Sequence, residues 1–207
     1  MPADSPRRWG WHCLTDDWAR RLVATAELPP GALVLDLGAG TGALTCALVE
    51  AGARVVAYEL HPGRLAVLQD RFAGAPVQVV CADVADLRLP RRPFYVVANP
   101  PFACTGPVLR RLLSARSQLA GACVVLQRST AKRWSRGEVA GSSRWQRRFE
   151  VDVALLVPRS AFVQRPQVDV AVLSVKPRWA GSRTSTAPDG RTERRHPPST
   201  SRIGYRP

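Results

Sequence analysis

An α/β fold built on a mostly parallel sheet, covered by helices on both faces, is predicted by three observations. Short continuous apolar runs alternate with helical segments along residues 32–127. The runs are Val-, Leu- and Ala-rich rather than alternating with polar residues, as expected of strands buried on both faces. Four consecutive runs end in, or just before, a side chain of one chemical kind: Asp36, Glu59, Asp83 and Asn99. Ligands of open parallel sheets bind beyond the carboxyl ends of strands, so these four residues are candidates for one site.

The elements follow in order. Ala32–Asp36 reads as the first strand, and Gly38-Ala39-Gly40-Thr41-Gly42 as a breaker-rich turn. Ala43–Ala51 reads as a helix closed by Gly52. Arg54–Glu59 is the second strand, and Pro62–Phe72 a helix with Pro in its first turn. Val77–Asp83 and Phe94–Ala98 are the third and fourth strands. Thr105–Ala115 is a helix and Ala122–Gln127 a strand. Val151–Val157 and Val168–Lys176 read as late strands joined by a Pro-containing turn, expected as an antiparallel hairpin at the sheet edge.

The chain has 207 residues and a formal charge of +14, with 30 Lys+Arg against 16 Asp+Glu. Only Lys132 and Lys176 are Lys, a bias that GC-rich codons explain. Codon bias does not explain why acids fail to balance the arginines. A polyanionic partner does, and nucleic acid is expected over an anionic membrane. Residues 177–207 are Pro-, Ser- and Thr-rich and carry a net +5, leaving +9 on residues 1–176. Expected divisions are a basic arm at 1–10, a catalytic domain at 11–176 and a disordered tail at 177–207. No apolar stretch of membrane-spanning length and no secretory leader is read, so a cytoplasmic monomer is expected. Five cysteines without a CxxC spacing, and three His without clustering, point to structural thiols and no metal site.

The glycine turn alone is ambiguous, because Gly38-x-Gly40-x-x-Ala43 also scans as a dinucleotide fingerprint. Asp36 decides against it. A carboxylate there repels a pyrophosphate but suits a cationic sulfonium with an ammonium group, as in S-adenosylmethionine. Glu59 can then accept from the two ribose hydroxyls. Asp83 can accept from the adenine amino group, with Val84 against the ring. Gly38 and Gly40 allow close backbone approach.

Asn99-Pro100-Pro101-Phe102 is the sharpest signal. Two prolines fix the backbone after a buried strand. They aim the Asn99 side chain and the Pro100 carbonyl outward as acceptors, and Phe102 supplies a face for stacking. That set suits a planar amine such as adenine N6, whose lone pair is otherwise delocalised. Catalysis would rest on positioning and fixed dipoles rather than on a strong base.

In this order, Asp36-Leu37-Gly38-Ala39-Gly40-Thr41-Gly42, Glu59, Asp83 and Asn99-Pro100-Pro101-Phe102 resemble an S-adenosylmethionine-dependent N6-adenine methyltransferase. Gly10-Trp11-His12-Cys13-Leu14 lies where the rRNA adenine methyltransferases carry Gly-Gln-Asn-Phe-Leu. Leu126-Gln127-Arg128 resembles their fifth-strand signature. Residues 157–169, from Val157-Pro158 through Phe162 to Val168-Asp169, resemble their late V-P-x-x-x-F-x-P-x-P-x-V-D-S segment. The likeness covers roughly residues 7–176. It is closest to the short actinobacterial Erm methyltransferases of macrolide–lincosamide–streptogramin resistance.

The resemblance implies a Rossmann-like class I methyltransferase with a seven-stranded sheet. It implies methyl transfer to one adenine of 23S rRNA, or of a large-subunit precursor. It implies cofactor contacts from Leu14, Asp36, Gly38, Gly40, Glu59, Leu60, Asp83, Val84 and Asn99, and target-base contacts from Asn99, Pro100 and Phe102, with Phe162 on the base's other side. Trp11-His12 replaces Gln-Asn, which leaves His12 to take the amide's contact to the cofactor carboxylate. Val163-Gln164 and Ala171 depart from the late pattern, and the family's helical C-terminal domain has no counterpart here. RNA docking is therefore expected from the tail and from Arg128, Lys132, Arg133, Arg136, Arg144, Arg147 and Arg148. Trp134 and Trp145, interleaved among these, are read as stacking groups. A small-subunit rRNA adenine dimethyltransferase, a DNA adenine-N6 methyltransferase and a non-catalytic rRNA-binding or ribosome-assembly protein remain the alternatives.

Overall fold

The computed structural model describes residues 12–178. The basic arm, and the tail from residue 179 onward, lie outside the described residues. Pro177 closes the last strand, and the Arg178 backbone N–H donates to the Arg148 carbonyl.

Seven strands form one sheet in the order β3-β2-β1-β4-β5-β7-β6. They are β1 (Leu33–Leu37), β2 (Arg54–Glu59), β3 (Val77–Cys81), β4 (Phe94–Ala98), β5 (Leu119–Gln127), β6 (Phe149–Val157) and β7 (Val170–Pro177). The first five are mutually parallel, and β7 is antiparallel to both β5 and β6. The late hairpin forms as expected. Its second strand inserts beside β5, leaving β6 at the edge.

The continuous apolar runs divide between two cores by simple alternation. Val34, Val55, Ala57, Val97, Cys123 and Val125 face one side. There they pack against α1 (Asp16–Thr25), α2 (Ala43–Glu50) and α3 (Pro62–Arg71). Leu35, Leu37, Val96, Ala98, Val124 and Leu126 face the other side. That side is covered by α4 (Thr105–Leu112), α5 (Arg128–Ser135) and α6 (Ser142–Gln146).

Helix α1 was not among the sequence expectations. Its signals are Thr15 at the N-cap, Asp16 and Asp17 in the first turn, and Ala19, Leu22 and Val23 on one buried face. Pro62 opens α3 as expected, and the His61 ring accepts from the Gly63 and Arg64 backbone N–H groups.

Strand order reverses between β1 and β4, both flanking the fold's switch point, where a crevice opens beyond the strand ends. The loop after β1 carries the glycines, and the loop after β4 carries Asn99. The two loops touch. A Cβ on Gly38 would stand 3.3 Å from the Pro100 Cα and 3.2 Å from the Pro101 ring. Gly38 is at φ +77°, so both the close approach and the backbone exclude other residues there.

Candidate active site

Asp36 lies inside β1, one residue short of its end, and is fully buried. Its Oδ2 accepts from Thr45 Oγ at 2.6 Å, and its Oδ1 has no hydrogen-bond partner among the described residues. Burial pushes its carboxyl up to about 7, against the lowering effect of the Thr45 bond. Asp36 borders a cavity of about 20 Å³ together with Cys13, Leu14, Gly38 and Asn99. An acceptor held there without a partner is what an ammonium or sulfonium group would satisfy.

Glu59, at the end of β2, is buried to 6% exposure. Its Oε2 accepts from the Gly40 N–H at 2.8 Å. Its Oε1 accepts from the Leu60 and His61 N–H groups at 3.0 and 2.8 Å. The carboxylate thus ties the glycine loop, at Gly40, to the end of β2. A carboxylate offers about four acceptor positions, so one remains. That position is open to a ribose hydroxyl. Leu60, 40% exposed beside it, offers an apolar surface.

Asp83 sits two residues beyond β3 and caps the short 3-10 turn Val84–Asp86, its Oδ1 accepting from the Ala85 N–H at 2.8 Å. Asp83 is exposed, and its Oδ2 makes no hydrogen bond among the described residues. Capping and ligand acceptance are therefore compatible. Val84, next to Asp83, is buried in the second core with Leu37 and Leu87.

Asn99 Nδ2 donates to the His12 main-chain carbonyl at 2.6 Å. A carbonyl can only accept, so this contact fixes which way the amide faces. Asn99 Oδ1 makes no hydrogen bond among the described residues, and neither does the Pro100 carbonyl. Two acceptors without a hydrogen bond among the described residues thus follow one another in the chain, Asn99 half-buried and Pro100 buried. Phe102 follows, half-buried, at the start of a 3-10 turn that leads into α4.

His12 sits against two aromatic rings. Its ring lies 5.7 Å from Phe102 and 6.3 Å, edge-on, from Phe162, and its Nδ1 is 3.1 Å from the Gln164 carbonyl. It does not line the cavity at Asp36. Residues 13–15 zip onto the late segment through the Leu14–Phe162 bridge and the Thr15-to-Ala161 and Val163-to-Cys13 backbone bonds. Phe162 is consequently 3% exposed. Covering a base with Phe162 would require His12 to move aside.

The 128–148 stretch divides. Trp134 and Trp145 are 3% and 6% exposed and stack on each other at 5.9 Å between centroids. They are core, and the expectation that they stack exposed bases is wrong. Arg148 is structural, since its guanidinium donates to the Ser114 and Ser117 carbonyls at 2.9 and 3.0 Å. Arg128 has a buried Nε and lies 4.0 Å from Asp169, and Arg136 pairs with Glu138. Lys132, Arg133, Arg144 and Arg147 are exposed without an ion pair among the described residues.

Comparison with known proteins agrees with this geometry. The sequence profile of the ribosomal RNA adenine dimethylase family matches residues 7–183. The chain is 35% identical over 189 residues to the Ribosomal RNA small subunit methyltransferase A of Synechococcus sp. (strain JA-3-3Ab). That match takes in 84% of this chain and 68% of the relative. It is 34% identical over 185 residues to the protein of the same name in Streptococcus agalactiae serotype V, covering 82% of this chain and 64% of the relative. The chain thus spans about two thirds of the length of these relatives. Among solved structures, the 23S rRNA methyltransferase ErmE is similar with a TM-score of 0.71 at 30% identity, covering 80% of this chain and 70% of that one. A dimethyladenosine transferase from Plasmodium falciparum shares the fold, with a TM-score of 0.68 at 23% identity and coverage of 82% and 64%. The chain belongs to the ribosomal RNA adenine dimethylase family, whose methyl donor is S-adenosylmethionine.

Proposed function

We propose that the chain transfers methyl from S-adenosylmethionine to N6 of one adenine in 23S rRNA, as a cytoplasmic monomer, so conferring macrolide–lincosamide–streptogramin resistance. The observation that carries the chemistry is the Asn99 amide, whose Nδ2 is held by the His12 carbonyl so that Oδ1 is left without a hydrogen bond among the described residues. The target RNA is supported by the likeness to ErmE at 30% identity.

Asp36 Oδ1, the remaining acceptor position of Glu59 and Asp83 Oδ2 form a set of acceptors that fits the cofactor's ammonium, ribose and adenine amino groups. Bound there, S-adenosylmethionine supplies a methyl group on a positively charged sulfur. Asn99 Oδ1 and the Pro100 carbonyl accept from the two N–H groups of the target N6. This draws the lone pair out of the ring. The target N6 would then take the methyl as the bound cofactor's C–S bond breaks, and the N6 proton, made acidic by the new N–C bond, would leave to water. No side chain needs to act as a strong base. Positioning and fixed dipoles supply the rate.

A second reading, the small-subunit rRNA, is favoured by the names of the curated relatives at 34–35% identity. Labelled-methyl transfer to separated 16S and 23S rRNA, followed by primer-extension mapping, distinguishes the two. Label in a single 23S adenine is the expected result. Label confined to 16S overturns the 23S assignment, and no label in either overturns the catalytic reading.

A further inference from the structure

The loops that enter β4 and β5 lie at the end of the sheet opposite Asn99, since Asn99 follows the last residue of β4 and Pro93 precedes its first. Strand β4 sets these ends roughly 17 Å apart. Two depressions meet at this far edge and share the Leu89–Pro90 ridge. One, of about 490 Å³, has the open face of β1–β3 as its floor and Arg88 and Arg92 in its wall. The other, of about 360 Å³, is lined by Arg91, Arg111 and Arg116 with Ser114 and Gln118.

Five arginines therefore line one trough, with Asp86 the only acid in either lining. None of the five takes part in an ion pair among the described residues, and all are exposed. Arg111 donates to the Ala85 carbonyl at 3.3 Å, which steadies it beside the trough. Its place in the last turn of α4 suits the helix dipole. The dipole does not account for Arg88, Arg91, Arg92 or Arg116, which lie in loops. Like charges gathered without counter-charges raise the local potential and cost stability unless a polyanion meets them.

We infer that this trough is a second RNA-contact surface, which binds the sugar–phosphate backbone of an rRNA segment remote from the methylated adenine. Arginines spread over two adjoining depressions suit an extended phosphate chain rather than one small anion. The inference rests on the proposed rRNA substrate and adds where that RNA is held.

The test uses the full chain and the triple variant R91Q/R92Q/R116Q, which leaves Arg111 and every residue of the candidate active site untouched. Two substrates are compared: whole rRNA, and the shortest fragment around the target adenine that the unaltered chain methylates. The trough predicts a fall of about 10- to 100-fold in kcat/KM on whole rRNA and less than 2-fold on the fragment. The salt dependence of whole-rRNA binding should also flatten by about 2 to 3 in log–log slope, at roughly 0.7–0.9 per phosphate contact. Equal kinetics on whole rRNA, or an equal loss on both substrates, overturns the inference. If the unaltered chain methylates no RNA, the proposed function has failed. The binding slopes then decide the trough alone: a flattened slope supports it, and an unchanged one removes it.

Discussion

The Asn99 side-chain amide donates to the main-chain carbonyl of His12, 87 residues earlier, at 2.6 Å. This one bond joins the segment before α1 to the loop after β4, and it sets which way the Asn99 amide faces. Asn99→Ala removes both the acceptor and its tether. Turnover should fall at least 100-fold, on the scale of losing one preorganised dipole. Cofactor affinity should stay within about 3-fold. Single-turnover methylation together with calorimetric cofactor binding checks this. Lost affinity with retained turnover would show that Asn99 serves the cofactor instead.

Asp36 makes stability depend on pH. Its folded pKa is raised from 3.8 to about 7, so between those values the folded state holds a proton that the unfolded chain releases. Its stabilising contribution is complete below about pH 4 and is lost as pH rises toward 7. One pKa unit is worth about 1.4 kcal/mol, so the effect reaches a few kcal/mol at most. Asp36→Asn, which keeps an oxygen for Thr45, should raise the Tm at pH 8 by at least about 3 °C and weaken cofactor binding. Thermal melts from pH 5 to 8 read the difference. A variant that melts lower than the parent at pH 8 would contradict the burial argument.

Glu59 holds three backbone N–H groups, from Gly40, Leu60 and His61. Glu59→Gln replaces one accepting oxygen with a donor and turns it toward N–H groups. The expected cost is about 1–3 kcal/mol, seen in urea unfolding, with cofactor affinity down at least 10-fold. Unchanged unfolding would mean that the glycine loop does not depend on this carboxylate.

Trp134 and its neighbour Arg133 should behave in opposite ways. Trp134 is buried against Trp145, so Trp134→Ala should cost about 3–5 kcal/mol in denaturant unfolding. Arg133 is exposed and unpaired among the described residues. Arg133→Ala should leave stability within about 0.5 kcal/mol while raising the KM for rRNA. An Arg133→Ala variant with unaltered KM would take α5 out of the RNA surface.

Much of this site is legible in the chain because its signals are local. Asp36, the glycine turn, Glu59 and Asn99-Pro100-Pro101-Phe102 each stand where a strand gives way to a turn, and that is a property of neighbouring residues. Trp134 and Trp145 are not legible as core residues for the converse reason. An apolar side chain can stack on a ligand or fill a core, and only its distant neighbours decide which. Trp134 meets Trp145 across the helix break at Gly137–Gly141, and Leu14 meets Phe162 across most of the chain. Helix α1 is hard to read from the chain although its cap, acids and apolar face are present, because its short apolar pattern precedes any strand that would frame it.

The sequence by itself determined the α/β alternation, the four polar strand ends and the excess of arginine. Periodicity, turn chemistry and charge are counted along the chain and need no partner. Only the tertiary structure decided that β7 lies inside β6, that Glu59 has already spent three of its acceptor positions, and that His12 turns Asn99. It also divided the arginines. Arg148 is bound to carbonyls of the loop before β5, whereas Arg88, Arg91, Arg92, Arg111 and Arg116 gather at one edge from two loops and the end of α4. Contacts of this kind join residues far apart in sequence. They exist only once burial of the two apolar faces has brought the loops together.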